Sequence, residues 1–325
     1  MKTIRVALEG MPSVLHAGMY LALARGWYRE AGLELELIDP ESFVSPMKLL
    51  VSGQVHVAIA PAEAIVSYRT LRQEMDVVAI AAIQQEHHTA LATLQQSGIT
   101  CPSQLDGKRY GAHQARFEAG ILRKMVLHSG GCGMFRMLTP PREELWNQLL
   151  NGQIDATWVS IPKRIPMAEQ AGVKLNLFKP EDYGVMAGYM HLMVAHRCLL
   201  DEYEEDFKNF LNVCSRAYLQ ICADPDASAS LISQSKIHPA FEAEDLLKRS
   251  LELLCPTLSD DKGQWGTMNA DLWYKFGSWL DEQALVTCLE TNEPIPVAHR
   301  IHEWYSNEYL PSFSPTFASK RGEIA

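Results

Sequence analysis

The chain has 325 residues, 47% of them apolar, and a formal net charge of −10. This length suits two domains of ordinary size, and the apolar fraction is sufficient for full cores. Lysines and arginines are scattered among the acidic residues, which argues against a nucleic-acid-binding surface. No apolar run approaches the ~18 residues that a membrane-spanning helix requires.

The seven cysteines are widely spaced and form no CxxC pair, and the histidine spacing matches no zinc-binding pattern. An odd number of scattered thiols is typical of a reducing compartment. A strand pattern already begins at residue 3, where a secretory signal would have its basic and apolar regions. We therefore expect a cytoplasmic protein as the chain stands, and a periplasmic or extracellular one if a signal peptide has been removed.

The first ninety residues alternate between strand and helix patterns. Strands are predicted at 3–8, 33–38, 55–60, 76–84 and 88–94, with helices at 14–30, 44–52 and 62–72. This alternation predicts parallel strands joined by crossover helices. Because such sheets bind ligands at the carboxyl ends of their strands, the segments Glu9–His16 and Ala60–Ala64 are predicted to line a pocket.

The same alternation resumes after a polar, turn-rich segment at 97–108. Strands are predicted at 109–113, 134–138, 154–160, 173–178 and 188–196, and helices at 115–131, 141–153, 166–172, 203–223, 225–235, 241–253 and 270–283. We expect an α/β protein with two lobes, the first built from residues 1–90 and 195–325 and the second from residues 91–194. Two lobes joined by two chain crossings form a hinged clamp that closes over a ligand.

Several short motifs together resemble one known family. They are PxxxH at 12–16, LALARGWYREAGLELEL at 21–37, LxxGxV at 50–55, SGIT and LDGKRYG within 97–111, LLNGQIDATWV at 149–159, KLN at 174–176, DLWYKFGSWL at 271–280 and WYSNEYL at 304–310. Their order and spacing resemble the periplasmic-binding-protein-like group of formylaminopyrimidine-binding proteins and the fungal thiamine-pyrimidine synthase, and more distantly sulfonate- and taurine-binding proteins. The resemblance covers nearly the whole chain. It implies a type II fold in which each lobe is a mixed, mostly parallel sheet flanked by helices.

The chain departs from the synthase at the residues that the chemistry requires. The resemblance places Ala60 where the synthase holds pyridoxal phosphate on a lysine, and Ala64 where it has the histidine that it consumes. The cysteine-rich motif of the synthase falls at Gly188–Leu192, which contains no cysteine. Alanine can neither form a Schiff base nor donate a ring, so the synthase activity is not implied. Whether the chain is an enzyme stays open.

Eight residues near predicted strand ends or helix starts are candidate ligand contacts: Glu9, His16, Glu63, Arg116, Phe117, Trp158, Tyr189 and His191. Glu9 could accept hydrogen bonds from an amine or aminopyrimidine, or could be a loop acid. His16 could donate to a ligand or cap its helix. Glu63 could accept a hydrogen bond from an amino group of the ligand, although acids are also favoured at helix N-termini for electrostatic reasons.

The remaining candidates are aromatic or basic. Arg116 and Phe117 start a helix, where they could hold an anion and stack on a ring, or be a surface arginine beside a core residue. Trp158 ends a strand and faces either the ligand or the core. Tyr189 and His191 share one face of the returning strand, so one of them is expected to line the cleft.

Two further segments bear on ligand chemistry. Lys163 and Arg164 stand where pyrimidine-binding relatives tend to carry an acid, which would suit a carboxylate, sulfonate or phosphate on the ligand. The adjacent histidines in Glu86–His88 would diverge on a strand, so no metal site is expected there.

The favoured interpretation is a small-molecule-binding protein that clamps a planar, polar ligand and is related to the binding or biosynthesis of thiamine-pyrimidine precursors. It would be the substrate-binding component of an ABC importer, with a permease as partner, or its cytoplasmic relative. The alternatives are a cytoplasmic enzyme of thiamine-pyrimidine biosynthesis, or of another reaction in the same cleft, and a ligand sensor. We expect no metal and no cofactor; only the enzyme alternative would call for pyridoxal phosphate.

Overall fold

A computed structural model describes residues 2–39, 44–85, 87–288 and 290–312 of the chain. The strands are β1 Lys2–Ala7, β2 Leu33–Ile38, β3 Val57–Ala60, β4 Val77–Ala82, β5 Thr89–Leu94, β6 Arg109–Gly111, β7 Arg136–Leu138, β8 Ala156–Ser160, β9 Leu175–Phe178 and β10 Leu192–His196. The α-helices are α1 Ala17–Arg25, α2 Trp27–Glu30, α3 Pro46–Val51, α4 Ala62–Arg69, α5 Glu118–His128, α6 Leu145–Leu150, α7 Ile161–Gln170, α8 Arg197–Glu202, α9 Glu204–Ala223, α10 Pro225–Ser235, α11 Glu244–Leu254 and α12 Ala270–Glu282. Within the described ranges, every helix is too short or too polar to cross a lipid bilayer.

The strands form two five-stranded sheets with matching topology. The first sheet has the order β2-β1-β3-β10-β4 and the second has the order β7-β6-β8-β5-β9. In each sheet one strand, β10 or β5, runs antiparallel to both of its neighbours, and the other four strands share one direction. The prediction of two mixed, mostly parallel sheets flanked by helices is therefore confirmed.

The burial of the strands follows from their sequences. β4 (VVAIAA) and β5 (TALATL) are buried at every position, as expected for strands that are covered on both faces. β2 (LELELI) lies at a sheet edge and alternates, so that Glu34 and Glu36 are exposed while Leu33 and Leu35 are buried. Full burial does not by itself mark an inner strand, since β4 is the last strand of its sheet, whereas the alternation of β2 marks a strand with one exposed face.

The prediction of one helix over 14–30 is wrong at two places. Residues Val14–His16 form a 3-10 turn, and α1 ends at Gly26, which adopts φ +72° and starts the separate short helix α2. A left-handed residue ends a helix, and glycine adopts this conformation at little cost. The turn places His16 directly before the first residue of α1.

The predicted helix over 166–172 begins too late. In the structure α7 already begins at Ile161, with Pro162 in its first turn and Pro166 in its interior. Proline is compatible with a first turn because the N–H it lacks has no partner there. The corrected start places Lys163 and Arg164 on the first turn of a helix. The helix α8 was not predicted.

The two sheets and the helices on them, which we call the first lobe and the second lobe, pack against each other. One buried cluster contains residues from both, including Leu192 of β10 and Leu91 of β5. The predicted lobe boundaries after residues 90 and 194 stay a prediction, and they cut through β5 and β10. On the opposite side, α7 of the second lobe packs on α11 and on the Val14–His16 turn of the first.

We expect the substitution Gly18→Ala to destabilise the protein. A methyl group at residue 18 of α1 would lie 2.6 Å from ring atoms of Tyr218 on α9. This ring cannot withdraw easily, because it stacks on Trp265 at 4.9 Å and its hydroxyl donates to the Leu15 carbonyl at 2.7 Å. Overpacking should lower the free energy of unfolding by about 1–3 kcal/mol in urea denaturation, in spite of alanine's higher helix propensity.

Gly10→Ala is the matched control for this measurement, because no atom lies within 4 Å of its added methyl group. Wild-type stability of the Gly18→Ala variant would contradict the close packing of α1 on α9.

Candidate functional site

The ends of several strands of the first sheet bring polar residues together at one edge of that sheet. Glu9, Glu63 and Gln84 follow the carboxyl ends of β1, β3 and β4 in the first sheet. The antiparallel strand β10 begins at the same edge, directly after His191, whose carbonyl accepts a hydrogen bond from the N–H of Ile83 at 2.8 Å. Residues that are distant in sequence therefore meet at one edge of the sheet.

Glu9 is held by His16. The two side chains meet at 3.0 Å between His16 Nε2 and Glu9 Oε2, and the N–H of Ser13 donates to His16 Nδ1 at 3.1 Å. Because Nδ1 accepts a hydrogen bond, the ring proton lies on Nε2, which donates to the carboxylate. His16 is fully buried, whereas the Glu9 side chain keeps 24% of its surface exposed. Glu9 is thus oriented by a buried ring while part of its carboxylate faces the cleft.

A chain of hydrogen bonds orients His191. Thr257 Oγ1 donates to the Leu254 carbonyl at 2.8 Å and accepts from Gln84 Nε2 at 3.0 Å. The amide oxygen of Gln84 then lies 2.8 Å from His191 Nδ1, which must carry the proton. In a neutral ring this leaves the His191 Nε2 lone pair free, and Nε2 lies 3.7 Å from Glu9 Oε1.

The charge states of Glu9 and His191 follow from their surroundings. Burial would raise the pKa of Glu9, but the attraction and hydrogen bond of His16 and the proximity of His191 outweigh it and lower the pKa to about 2. Burial lowers the pKa of His191 to about 4, against the attraction of Glu9. At neutral pH, therefore, a carboxylate oxygen and an imidazole lone pair face each other, and both are hydrogen-bond acceptors.

Three more polar atoms at the strand ends lack partners. They are Glu63 Oε2, Gln85 Nε2 and Ser160 Oγ, each buried without a hydrogen bond among the described residues. Buried polar atoms are nearly always paired, so each orphan requires an explanation. Burial also raises the pKa of Glu63 to about 7. These atoms come from both lobes, since Ser160 ends β8 of the second sheet.

The second lobe contributes a cation. Lys163 lies in the first turn of α7, and its charge acts on both Glu9 and His191. Burial, followed by the neighbouring Arg164, lowers the pKa of Lys163 to about 8. The guanidinium of Arg164 instead lies 4.9 Å from the centre of the Trp146 ring. His87 also approaches His191, and burial lowers the His87 pKa to about 3.

Arg116 and Phe117 lie apart from this cluster. The Arg116 guanidinium donates to Thr70 Oγ1 at 3.1 Å and to the carbonyl of Thr287, so its donors are used within the protein. Phe117 is only 3% exposed and belongs to the buried cluster that joins the lobes. Arg116 and Phe117 therefore lie in the contact between the lobes.

Tyr189 and Trp158 are also engaged in packing. Tyr189 packs against Trp273 with ring centres 5.9 Å apart, and its hydroxyl accepts the N–H of Asn269 at 2.8 Å. Trp158 is partly buried against the same cluster as Phe117. Of the eight predicted residues, the structure brings together Glu9, His16 and His191 by direct contact, and places Glu63 at the neighbouring strand end.

Gln84, Gln85 and Ser160 were not predicted as site residues. The sequence does carry a signal for the two glutamines, because they are the first polar residues after the apolar run VVAIAAI. Among the described residues no group of three histidine, cysteine, aspartate or glutamate side chains could hold a metal ion. Glu86, part of the segment considered for a metal, lies outside the described residues.

A separate surface pocket of about 320 Å³ lies between α12 and the turn Ile301–Trp304. It is lined by Asp271, His299 and His302 together with aromatic residues, and contains none of the strand-end residues. We regard the strand-end cluster as the candidate site, because that is where buried, unpaired and charged polar groups converge.

Comparison with known proteins identifies the family and the fold of the chain. The chain is 23% identical over 283 residues to the formylaminopyrimidine-binding protein of Halalkalibacterium halodurans, covering 86% of this chain and 85% of that protein. It is 26% identical over 198 residues to a putative thiamine biosynthesis protein of Haemophilus influenzae, covering 60% of this chain and 62% of that protein.

The fold is shared with a Candida albicans protein that has the generic periplasmic binding protein fold, with a TM-score of 0.66, 13% identity and coverage of 97% of this chain and 99% of that one. Residues 13–228, more than half of the sequence, match the model of one protein family. The chain belongs to the NMT1/THI5-like family.

Proposed function

We propose that this protein binds a small, planar, nitrogen-containing ligand of the thiamine-pyrimidine precursor class in the cleft between its lobes. One observation carries the proposal: Glu9 Oε1 and His191 Nε2 lie 3.7 Å apart and are both acceptors at neutral pH. Neither can satisfy the other, whereas an amino group offers N–H donors to both. The relative that binds formylaminopyrimidine supports a ligand of this chemical class.

The unpaired polar atoms at the strand ends would supply further contacts to such a ligand. The amide of Gln85 is a donor for a ring nitrogen, and the hydroxyl of Ser160 both donates and accepts. Glu63, with a pKa near 7, exchanges between a donor and an acceptor around neutral pH. A heteroaromatic ring with mixed donors and acceptors on its edge would satisfy these groups together.

The proposed role is binding. As an importer component the protein would work outside the cytoplasmic membrane and pass its ligand to an ABC permease; as a cytoplasmic relative it would retain the ligand inside the cell. Ala60 ends β3 and is only 3% exposed, so the position of the synthase lysine offers no amine to a cofactor. The geometry gives no specific support for the enzyme alternative.

Glu9→Gln should weaken ligand binding. The amide keeps the shape of the carboxylate but removes its charge and turns one acceptor into a donor. Hydrogen bonds to a charged group contribute about 1.5–3 kcal/mol, so we expect a loss of affinity of about 10- to 150-fold. Isothermal titration calorimetry with formylaminopyrimidine and with 4-amino-5-hydroxymethyl-2-methylpyrimidine measures it.

Glu34→Gln is the matched control, since Glu34 is exposed on the edge strand β2 and should leave the affinity unchanged. Equal affinities of the wild type and the Glu9→Gln variant, or no binding of either pyrimidine to the wild type, would refute the proposed site.

Glu63→Gln should change how stability depends on pH. The pKa of Glu63 is raised from 4.5 to about 7 in the folded protein, so the wild type loses stability as the pH rises from 5 to 8. The glutamine variant lacks this titration. Between pH 5 and pH 8 the variant should therefore gain about 2 kcal/mol in free energy of unfolding relative to the wild type.

Urea denaturation of both proteins at several pH values tests this expectation. All other titrating groups are common to the two proteins, so the difference between the curves isolates Glu63. Parallel curves would show that Glu63 has an ordinary pKa and that its carboxyl is solvated.

A further inference from the structure

We infer that the ligand carries an anionic oxygen group that binds Lys163, so that the ligand spans acceptors on the first lobe and an ammonium on the second. This inference rests on the proposed function and narrows it to acidic aminopyrimidines, such as a phosphate monoester or a carboxylate. The evidence is the position of Lys163, its lack of a partner, and the balance of charge across the cleft.

Lys163 is positioned by packing between the lobes. It is the third residue of α7, which directly follows β8, and α7 packs on the turn Val14–His16. His16 of that turn holds Glu9 at 3.0 Å. The first turn of α7 therefore stands opposite the carboxylate, which explains why the charge of Lys163 is felt by Glu9 and His191.

Lys163 has no partner within the described part of the protein. Its ammonium forms neither a hydrogen bond nor an ion pair there, although desolvation lowers its pKa. The adjacent Arg164 is engaged, with its guanidinium against Trp146 and 3.3 Å from the sulfur of Met167. Because removing an ammonium from water without a partner is costly, this position favours a ligand that places an anion next to Lys163.

Glu9 and Lys163 carry opposite charges and influence each other electrostatically, but within the described residues they form no ion pair. A ligand that carries both an amino group and an anionic oxygen, placed between them, gives each charge a counterpart. The residue before α7 adds to this, since Ser160 Oγ is buried without a hydrogen-bond partner and can donate to an anion. A neutral aminopyrimidine would satisfy Glu9 but leave Lys163 without a partner.

Three probes test this assignment by isothermal titration calorimetry. They are 4-amino-5-hydroxymethyl-2-methylpyrimidine, its phosphate monoester, and 4-amino-2-methylpyrimidine-5-carboxylate. Wild-type protein should bind at least one of the anionic probes about tenfold or more tightly than the alcohol, because charge-assisted hydrogen bonds contribute that much. The comparison of the two anionic probes separates a phosphate site from a carboxylate site.

Lys163→Met should abolish this preference while changing the affinity for the alcohol less than about threefold, since a lost charge-assisted contact affects only the anionic probes. Retained alcohol binding shows that the variant is folded. Lys163→Arg should restore the preference, and Lys174→Met, which removes an exposed lysine of the same lobe, should leave it intact. A wild type without the preference, or a preference that persists in Lys163→Met, overturns the inference.

Inorganic phosphate alone separates this inference from the proposed function. Phosphate binding that depends on Lys163, observed by ³¹P line broadening, would support the anion site even if no pyrimidine bound, and would then contradict the proposed ligand class. If neither the pyrimidines nor phosphate bind, both proposals fail. If the alcohol binds and no anion is preferred, only the assignment of Lys163 fails.

Discussion

The direction of one hydrogen-bond chain determines which ring nitrogen of His191 is left as a hydrogen-bond acceptor. A backbone carbonyl cannot donate, so Thr257 must donate to Leu254, Gln84 must donate to Thr257, and His191 must donate to Gln84. The chain starts at the last residue of α11 and ends at a lone pair beside Glu9. The pattern of acceptors in the cleft is therefore fixed by the backbone rather than by the choice of a tautomer.

Each lobe contributes a different kind of group to the cleft. The first lobe supplies the acceptors Glu9 and His191, and the second supplies a cation on α7. The lobes also meet outside the cleft, where Arg249 of α11 donates to both carboxylate oxygens of Glu169 on α7, at 2.9 and 3.0 Å. This pair is exposed, so its contribution to stability is small, but its two parallel bonds join α7 of the second lobe directly to α11 of the first.

The sequence was sufficient to predict those features that depend on local pattern. Apolar runs such as β4 and β5 identified strands that are buried on both faces, and the end of the apolar run of β1 placed Glu9 just beyond a strand. Local pattern cannot show which side chain meets which, and Gln84, His191 and Thr257 are far apart in the sequence. It also cannot tell an aromatic residue of the core from one that faces a ligand, which is why Phe117 was a candidate.

Helix starts next to prolines were a second source of error. Pro162 and Pro166 argue against a helix when they are read as helix breakers, although one of them is in a first turn, where proline fits. The delayed start placed Lys163 in a loop. The sequence pointed to an anion near Lys163 and Arg164, but it could not show that α7 packs on the turn that contains His16.

The position of β10 has a consequence for how the chain is made. This strand lies between β3 and β4, yet it is reached only after the whole second sheet has been passed. While the ribosome is still translating residues 89–178, β4 has no neighbouring strand and its apolar surface lacks its final cover. The first sheet therefore stays incomplete until β10 has been made, and during this interval exposed apolar strands favour aggregation of the nascent chain.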